Sequence, residues 1–190
     1  MRSPQTIVNS INGIGQLVTV TSEVETTDVK VELHRGFLNA GYYSAYHRAF
    51  GAIEAGIDFD AITEDSISYE NEIYTLTLPA PSITSCRIEY IDQSGHSFTL
   101  LAADWDMVRQ IAHAEAIDGF AREMIEAGIL ERAEEETELH MGDFVSELKG
   151  KPANILFEAQ DSEPQLPDSC KPYTPSGWGK DENGAWRRSN

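Results

Sequence analysis

The side chains best suited to acid–base or metal chemistry in this sequence are its five histidines, which are His34, His47, His96, His113 and His140. A histidine titrates near neutral pH and binds zinc through its ring nitrogens, so each one is a candidate for catalysis or metal ligation. None of them forms the His-Glu-x-x-His motif, and no pair has the cysteine or histidine spacing of a zinc site. We therefore expect structural or solvated histidines.

Carboxylates are the second group that could carry chemistry. Asp58 and Asp60 flank a predicted turn, where such side chains commonly accept backbone amide hydrogens. A carboxylate pair of the glycosidase kind would need a facing partner, which the sequence does not place. The acidic run at residues 134–138 lies on a predicted helix, whereas calcium ligands are spaced along a loop. We expect this run to be a solvated helix face.

Glycine spacing excludes dinucleotide binding. Gly13 and Gly15 are separated by one residue, but the third glycine of the fingerprint is missing and the pair precedes a predicted strand. A phosphate-binding loop must instead follow a strand and open a helix. The sequence therefore assigns no catalytic residue, no cofactor-binding residue and no metal ligand.

Net charge limits the class of partner. The chain of 190 residues has 32 acidic and 14 basic residues, which gives a formal net charge of -18. A field of this sign repels nucleic-acid phosphates and anionic lipid surfaces. We expect no nucleic-acid partner, and we interpret the acidity as a source of solubility, with cation binding as the alternative.

Apolar runs and cysteines bear on the compartment in which the chain works. No run of about 18 apolar residues occurs, so we expect neither a membrane-spanning helix nor a signal peptide in this sequence, and a soluble chain as given. Cys86 and Cys170 are too few and too far apart for a zinc site. They are either two free thiols or a disulfide that pins the tail to the sheet, and a disulfide would require an oxidising compartment.

Strand patterns dominate the first half of the chain. Residues 1–10 lead almost directly into a predicted strand, which fits either a cytosolic protein or one whose upstream segment is missing. Apolar residues alternate over 18–24 and again over 29–33, with opposite parity, so a turn or bulge at 26–28 is predicted. A further strand over 50–59 contains two glycines, which suit a bulge or a close backbone approach.

A hairpin and two further strands are predicted next. Residues 67–69 and 73–78 form the hairpin, whose turn contains Asn71. Prolines at 79 and 81 end its second strand because they cannot donate to a ladder. Another strand covers 83–91, and a turn at 93–96 leads to a strand at 98–101.

A helical period begins at Asp104, which can cap the first turn. The predicted helix is long, bends at Gly119 or Gly128, and ends in the acidic stretch 131–138. A shorter amphipathic piece covers 144–148. A last strand is predicted over residues 153–158, returning to the sheet.

The composition changes after Gln160. Residues 161–190 are rich in proline, glycine, serine and charge and contain almost no aliphatic residues, which predicts a tail without a core of its own. Trp178 and Trp186 are unusual in such a segment. They suggest docking of the tail onto the domain or onto a partner, and a solvated linker without a structural role for the tryptophans is the alternative that stays open.

Four short motifs, in this order and spacing, resemble the family of domains of unknown function 4230 (DUF4230). They are Gly-Gln-Leu-Val-Thr at 15–19, Ala-Gly-Ile-Asp at 55–58, Leu-Pro-Ala-Pro-Ser-Ile at 78–83 and Gly-Ile-Leu-Glu-Arg-Ala at 128–133. Each motif alone is weak, but together they make the resemblance fairly specific. It covers about residues 11 to 158 and does not extend into the proline-rich tail.

The resemblance implies a fold and a location more than an activity. Members of the family usually carry a membrane-spanning helix just before the opening strand, with an α+β domain outside the membrane. This sequence lacks that helix, so a membrane anchor and an extracytoplasmic domain in the full-length protein are implied by the resemblance alone. The resemblance transfers no catalytic residues.

These observations predict a single α+β domain over 1–160 and a flexible or docked tail over 161–190. The domain consists of a mostly antiparallel curved sheet, a long C-terminal helix and a final short strand. We expect a non-catalytic binding or assembly domain of a membrane-tethered protein, which binds an unknown protein partner or itself. No cofactor or metal is expected.

The alternative function is a hydrolase or a small-ligand-binding protein with a site between sheet and helix. Its candidate residues are His47, His113 and Asp58. A deep pocket holding a histidine whose pKa is perturbed by a neighbouring acid would favour an enzyme. A small apolar ligand would instead lie between the sheet and the helix residues Val108, Ile111 and Phe120.

Overall fold

The computed structural model describes residues 4–34, 43–97, 104–160, 164–182 and 184–188. Its helices are α1 (Gln5–Asn12), α2 (Trp105–Glu126) and α3 (Ile129–Lys149). Its strands are β1 (Gln16–His34), β2 (Tyr43–Asp58), β3 (Ile67–Glu70), β4 (Ile73–Leu78), β5 (Ser82–His96), β6 (Ala153–Phe157), β7 (Trp178–Lys180) and β8 (Trp186–Arg188). The predicted α+β class, with a long helix followed by a short strand, is confirmed.

The chain divides into two compact units. Unit 1 contains Met1–Ser22, Glu54–Ser85 and Met124–Pro167, and unit 2 contains Glu23–Ile53, Cys86–Glu123 and Asp168–Asn190. The long strands β1, β2 and β5 each contribute residues to both units. None of the helices formed by the described residues combines the length and the apolar character needed to span a bilayer.

Unit 1 contains a three-stranded sheet with the order β3-β4-β6. Strands β3 and β4 form the predicted hairpin, in which Glu70 pairs with Ile73 and the turn residues Asn71 and Glu72 both have positive φ. Such a turn matches the right-handed twist of the strands it joins. Strand β4 ends at Leu78, as the following proline predicted, and β6 pairs with β4 in parallel.

Apolar side chains from two helices cover this sheet. The core of unit 1 is formed by Ile7, Val8, Ile11, Ile57, Phe59, Ile62, Ile67, Tyr74, Leu76, Leu78, Met141, Val145 and Ile155. Helix α1 was not predicted, since residues 1–10 were expected to lead almost directly into a strand. Its buried residues Ile7 and Ile11 are one helical turn apart, so a single short face holds the helix on the sheet.

A glycine in β2 permits the close backbone approach that the sequence predicted. A Cβ atom at Gly56 would collide with the backbone carbonyl of Leu17. The strands can therefore lie this close only where a side chain is missing. Strand β1 itself is unbroken, and its buried side chains change parity between Val24 and Val29, as expected from the predicted register flip.

The two long helices differ from their predicted boundaries. Asp104 caps α2 as predicted, because its Oδ1 accepts a hydrogen bond of 3.1 Å from the amide of Met107. The helical conformation is interrupted at Gly128, whose φ is 77°. Helix α3 then continues to Lys149, so the predicted end within 131–138 and the separate helix at 144–148 were wrong. Its buried residues Ala133, Thr137, Met141 and Val145 keep a spacing of four, which continues one apolar face along the whole helix.

Strand β5 also exceeds its predicted length. It runs to His96, so the predicted turn at 93–96 was wrong. Ser97 fixes this end, because its amide donates to the carbonyl of Ser44 and its hydroxyl accepts from the amide of Ser44. The predicted strand at 98–101 lies outside the described residues.

Unit 2 is built on a sheet with the order β5-β2-β1-β8-β7. The tail supplies its last two strands: β8 pairs in parallel with β1, Leu33 opposite Trp186, and β7 pairs antiparallel with β8. Both tail tryptophans are buried. The indole of Trp186 donates a hydrogen bond of 2.7 Å to Glu115, which also forms an ion pair of 2.8 Å with Lys180.

A disulfide between Cys86 and Cys170 links the tail to β5 within unit 2. Both cysteines are buried, and the amide of Cys86 donates a further hydrogen bond to the hydroxyl of Ser169. The sequence left open whether these thiols were bonded. The tail is thus attached to the sheet both covalently and through strand pairing.

Candidate functional site

A groove of about 630 Å³ lies in unit 1 between α3 and β6. We call it the α3–β6 groove. The strand side is formed by residues 152–156, and the helix side by Glu135, Glu138, Leu139, Gly142, Asp143 and Ser146.

Local backbone chemistry places the two elements next to each other. Helix α3 ends at Gly150, which has a φ of 65° and donates its amide to the carbonyl of Ser146. Two residues later the carbonyl of Pro152 accepts a hydrogen bond of 3.0 Å from the amide of Tyr74, and the pairing with β4 begins. Lys151, between them, forms an ion pair of 2.6 Å with Glu72. The short connection leaves β6 directly beside the helix that precedes it.

Helix α3 uses two separate faces. The face through Ala133, Thr137, Met141 and Val145 is buried in unit 1. The groove residues Glu135, Glu138, Leu139, Gly142, Asp143 and Ser146 recur every three or four positions and therefore form a second stripe along the helix.

The open edge of β6 is the second component of the groove. Strand β6 is the last strand in the order β3-β4-β6, so only one of its sides is paired among the described strands. The carbonyl of Pro152 and the amide of Glu158 both bond to β4. Because backbone groups of a parallel strand point to alternate sides with a period of two, Ala153, Ile155 and Phe157 direct their amides and carbonyls away from β4. The edge is a row of donors and acceptors that a further strand can use.

Exposed apolar side chains flank this edge. Leu139 on α3 is 60% exposed and Leu156 on β6 is 53% exposed, and both line the same groove. Gly142 also lines the groove and leaves open space, since a Cβ atom at this position would have no other atom within 4 Å. The groove therefore combines exposed apolar side chains with a helix position that carries no side chain.

The charged residues that line the groove are all acidic. They are Glu135, Glu138 and Asp143, and none of the three belongs to an ion pair within the part of the chain that the structure describes. Uncompensated carboxylates in a concave surface focus a negative potential there. The groove thus favours cationic groups.

Comparison with known proteins identifies a sequence family whose match covers most of the residues that line this groove. The family described as "Protein of unknown function (DUF4230)" matches residues 9–155, which include all of α3 and the first residues of β6. The chain belongs to the DUF4230 family. No curated protein and no solved structure matches the chain. The tail strands β7 and β8 lie beyond the DUF4230 match.

His47, one of the predicted candidate residues, lies on β2 in the core of unit 2 of this DUF4230 protein. Burial lowers its pKa, a nearby Arg109 lowers it further, and the carbonyl of Val29 and the charge of Asp92 act in the opposite direction. Its Nδ1 has no hydrogen-bond partner among the described residues. His47 lines none of the grooves described in this section, so its position is that of a neutral core histidine.

His113 and Asp58 occupy different units of the DUF4230 protein. His113 lies on an exposed face of α2 in unit 2, in a groove of about 450 Å³ that it shares with Arg109, Gln110 and Tyr173. Desolvation lowers the pKa of His113, and no carboxylate contributes to this shift. Asp58, in unit 1, accepts a hydrogen bond of 3.0 Å from the amide of Asp60, which is the expected turn geometry.

The predicted ligand position beside α2 is occupied by protein side chains. Val108, Ile111 and Phe120 are buried in unit 2. A groove of about 280 Å³ next to Phe120 is lined by nine residues, of which four are charged: Lys30, Glu115, Arg122 and Glu123. Among the described residues, no group of three or more histidines, cysteines and acids is placed to hold a metal ion.

The α3–β6 groove was missed at the sequence level. The acidic run at 134–138 was interpreted as a solvated face, and Leu139 and Gly142 were not connected with it. The signal was present in the spacing, since Glu135, Glu138, Leu139, Gly142 and Ser146 share one helical face that is distinct from the apolar one.

Proposed function

We propose that this chain is a non-catalytic protein-binding domain of a membrane-tethered protein and that the α3–β6 groove is its binding surface. One observation carries the proposal. The open edge of β6 borders a groove that is also lined by two largely exposed leucines, Leu139 and Leu156, and by Gly142, which carries no side chain.

The physical argument is that such an edge needs a covering. Natural sheets protect unpaired edges with charges, bulges or covering elements, because the free amides and carbonyls otherwise recruit other strands. Here the exposed side chains of Leu139 and Leu156 beside the edge are apolar, and none of the described strands covers the edge. In strand addition, an extended peptide bonds to such an open edge, and pockets for its alternate side chains give specificity.

The disulfide supports the proposed location outside the cytoplasm. Disulfides form and persist in oxidising compartments and are rare in the cytosol. The Cys86–Cys170 bond lies in the interior of unit 2, where it links two segments of the fold. The membrane tether itself is proposed from the resemblance to DUF4230 members that carry an anchor helix before the opening strand.

A photo-crosslinking experiment tests the binding surface. A photoreactive amino acid would replace Leu139, at the rim of the groove, in the full-length protein in its own cells. We expect one defined adduct at this position and none when Ile14, an exposed apolar residue of unit 1 outside the groove, is replaced in the same way. Equal labelling at both positions, or no adduct at Leu139, would contradict the proposal.

The alternative, a hydrolase or small-ligand-binding protein, is favoured by the groove around His113. His113, Arg109, Gln110 and Tyr173 combine a base, a cation and hydrogen-bonding groups in one concavity. Turnover or small-ligand binding that is lost in His113→Gln and retained in His140→Gln, an exposed histidine of α3, would establish this function instead.

A further inference from the structure

We propose that the occupant of the α3–β6 groove is a basic, extended segment of a partner protein, which adds to β6 as a further strand. This inference rests on the proposed function, because it assigns the chemical class of the partner to the same surface.

The backbone determines the conformation of the partner. Ala153, Ile155 and Phe157 present outward amides and carbonyls at alternate residues, a spacing of about 6.6 Å along the strand. A helix satisfies its own backbone groups and cannot bond to such a row. An extended segment can bond to each of these residues, as in strand addition to other open sheets.

The charge of the groove determines the sign of the partner. Glu135, Glu138 and Asp143 supply the charges of its lining, and the chain as a whole has a net charge of -18. A second copy of this chain would bring more negative charge to a negative surface, which opposes self-association through this groove. Lysine or arginine side chains on the added strand would instead lie beside the acids of α3.

The side-chain pattern of the partner follows from the two faces of a strand. Successive side chains of an added strand point alternately towards α3 and towards the opposite face of the sheet. On the α3 side, the aliphatic stem of a lysine can cover Leu139 while its ammonium group reaches Glu138. On the opposite side, an apolar side chain can lie next to exposed Leu156. The geometry therefore fits a segment in which basic and apolar residues alternate.

The test uses three synthetic peptides and the intact chain. In the first peptide lysine and valine alternate, in the second lysine and proline alternate, and in the third glutamate and valine alternate. The second keeps the charge but removes every other amide donor, and the third reverses the charge. Binding is followed residue by residue through amide hydrogen exchange measured by NMR.

We expect only the lysine–valine peptide to bind. With free peptide at ten times its Kd, exchange of the outward amides of Ala153, Ile155 and Phe157 should slow about tenfold. The amides of Asn154 and Leu156, which already face β4, should change little and serve as internal controls. Binding without protection of the outward amides, equal binding of the lysine–proline peptide, or no binding would overturn the inference.

Two matched pairs of variants locate the site. Gly142→Trp places a large ring on a residue that lines the groove, without meeting other atoms at its Cβ, and it should reduce affinity more than tenfold, whereas Gly119→Trp in α2 should not. Glu138→Lys should weaken binding about threefold, in the range of one exposed ion pair. Glu147→Lys, an exposed position of α3 outside the groove, should have no such effect. A melting temperature close to that of the unmodified chain verifies that each variant folds.

The crosslinking at Leu139 separates this inference from the proposed function. If the peptides fail but a partner is still captured at Leu139, and its captured segment is acidic or helical, the basic-strand inference is wrong and the binding function stands. If neither peptide binding nor capture occurs, both are wrong.

Discussion

The two units of this molecule treat their sheet edges differently. In unit 2, the sheet continues from β1 through the tail strands β8 and β7, so the three-residue strand β7 is the edge on that side, and the Cys86–Cys170 disulfide fixes the same tail to β5. In unit 1, the edge of β6 has no described strand beside it and lies next to exposed leucines. Short edge strands are one way in which folds protect an edge, and this contrast motivates the proposal that β6 is open for a partner. The predictions below test the difference between the tail-extended sheet of unit 2 and the edge at β6.

The largest effect is expected from removing the covalent link in unit 2. Cys170→Ser together with Cys86→Ser opens a loop of 84 residues, which should lower the free energy of unfolding by about 4 kcal/mol. Denaturant unfolding would measure this loss, with the unmodified chain in reductant as the control. Hydrogen exchange should accelerate in β7 and β8 and remain unchanged in β6. Equal acceleration in β6 would show that the two edges are not independent.

A smaller loss is expected from the tryptophan that anchors β8. Trp186→Phe removes the indole donor that bonds to Glu115 and should lower the free energy of unfolding by about 2 kcal/mol, the range for a hydrogen bond to a charged group. Trp178→Phe, in the neighbouring strand β7, is the control for the change in ring size. Thermal unfolding of both variants measures the two losses of stability. A loss at Trp178 that equals the loss at Trp186 would refute the role of the hydrogen bond.

Unit 2 should also lose stability in mild acid because of His47. Burial lowers the pKa of His47 below its ordinary value of about 6.5, so the unfolded chain takes up a proton before the folded chain does. The free energy of unfolding should therefore fall as the pH drops below about 6.5, by at most about 1.4 kcal/mol per pH unit for this single group. His47→Gln should flatten this part of a stability profile, whereas His140→Gln, on an exposed face of α3, should leave it unchanged. An unaltered slope in the His47 variant would refute the prediction.

The smallest effect is a gain, and it should be equal in the two units. Gly142→Ala in α3 and Gly119→Ala in α2 place a methyl group where no other atom lies within 4 Å. Each should raise the free energy of unfolding by up to about 1 kcal/mol, because alanine favours the helix more than glycine does. Chemical denaturation of both variants measures the gain. Destabilisation by Gly142→Ala alone would mean that the groove is filled in the folded chain.

Local features of this fold could be predicted from the sequence. Asn71 indicated the β3–β4 hairpin, the prolines after Leu78 indicated the end of β4, and Gly128 was one of two glycines, with Gly119, at which a bend was predicted. These features depend on the backbone preferences of one or two residues, and those preferences follow directly from the residue types in the sequence. Helix α1 was missed because its apolar face consists of very few residues.

The candidate site could not be predicted because it depends on pairings between distant residues. Whether β6 is an edge is decided by its pairing with β4, more than seventy residues earlier in the chain. The bond between Cys86 and Cys170 was left open for the same reason. In the sequence, Glu135 and Glu138 cannot be distinguished from other acids on a helix surface. Only the position of β6 beside α3 makes them part of a groove. Sequence periodicity identifies faces of elements, and tertiary pairing decides which faces meet.

The loop closed by Cys86 and Cys170 has a consequence for proteolysis. It encloses α2, α3 and β6, and with them both sides of the α3–β6 groove. A protease that nicks the chain once inside this loop leaves two fragments joined through sulfur, so the nicked protein migrates as two pieces only after reduction. A single cut can therefore separate the α3–β6 groove from the N-terminal part of the chain only if it falls outside residues 86–170.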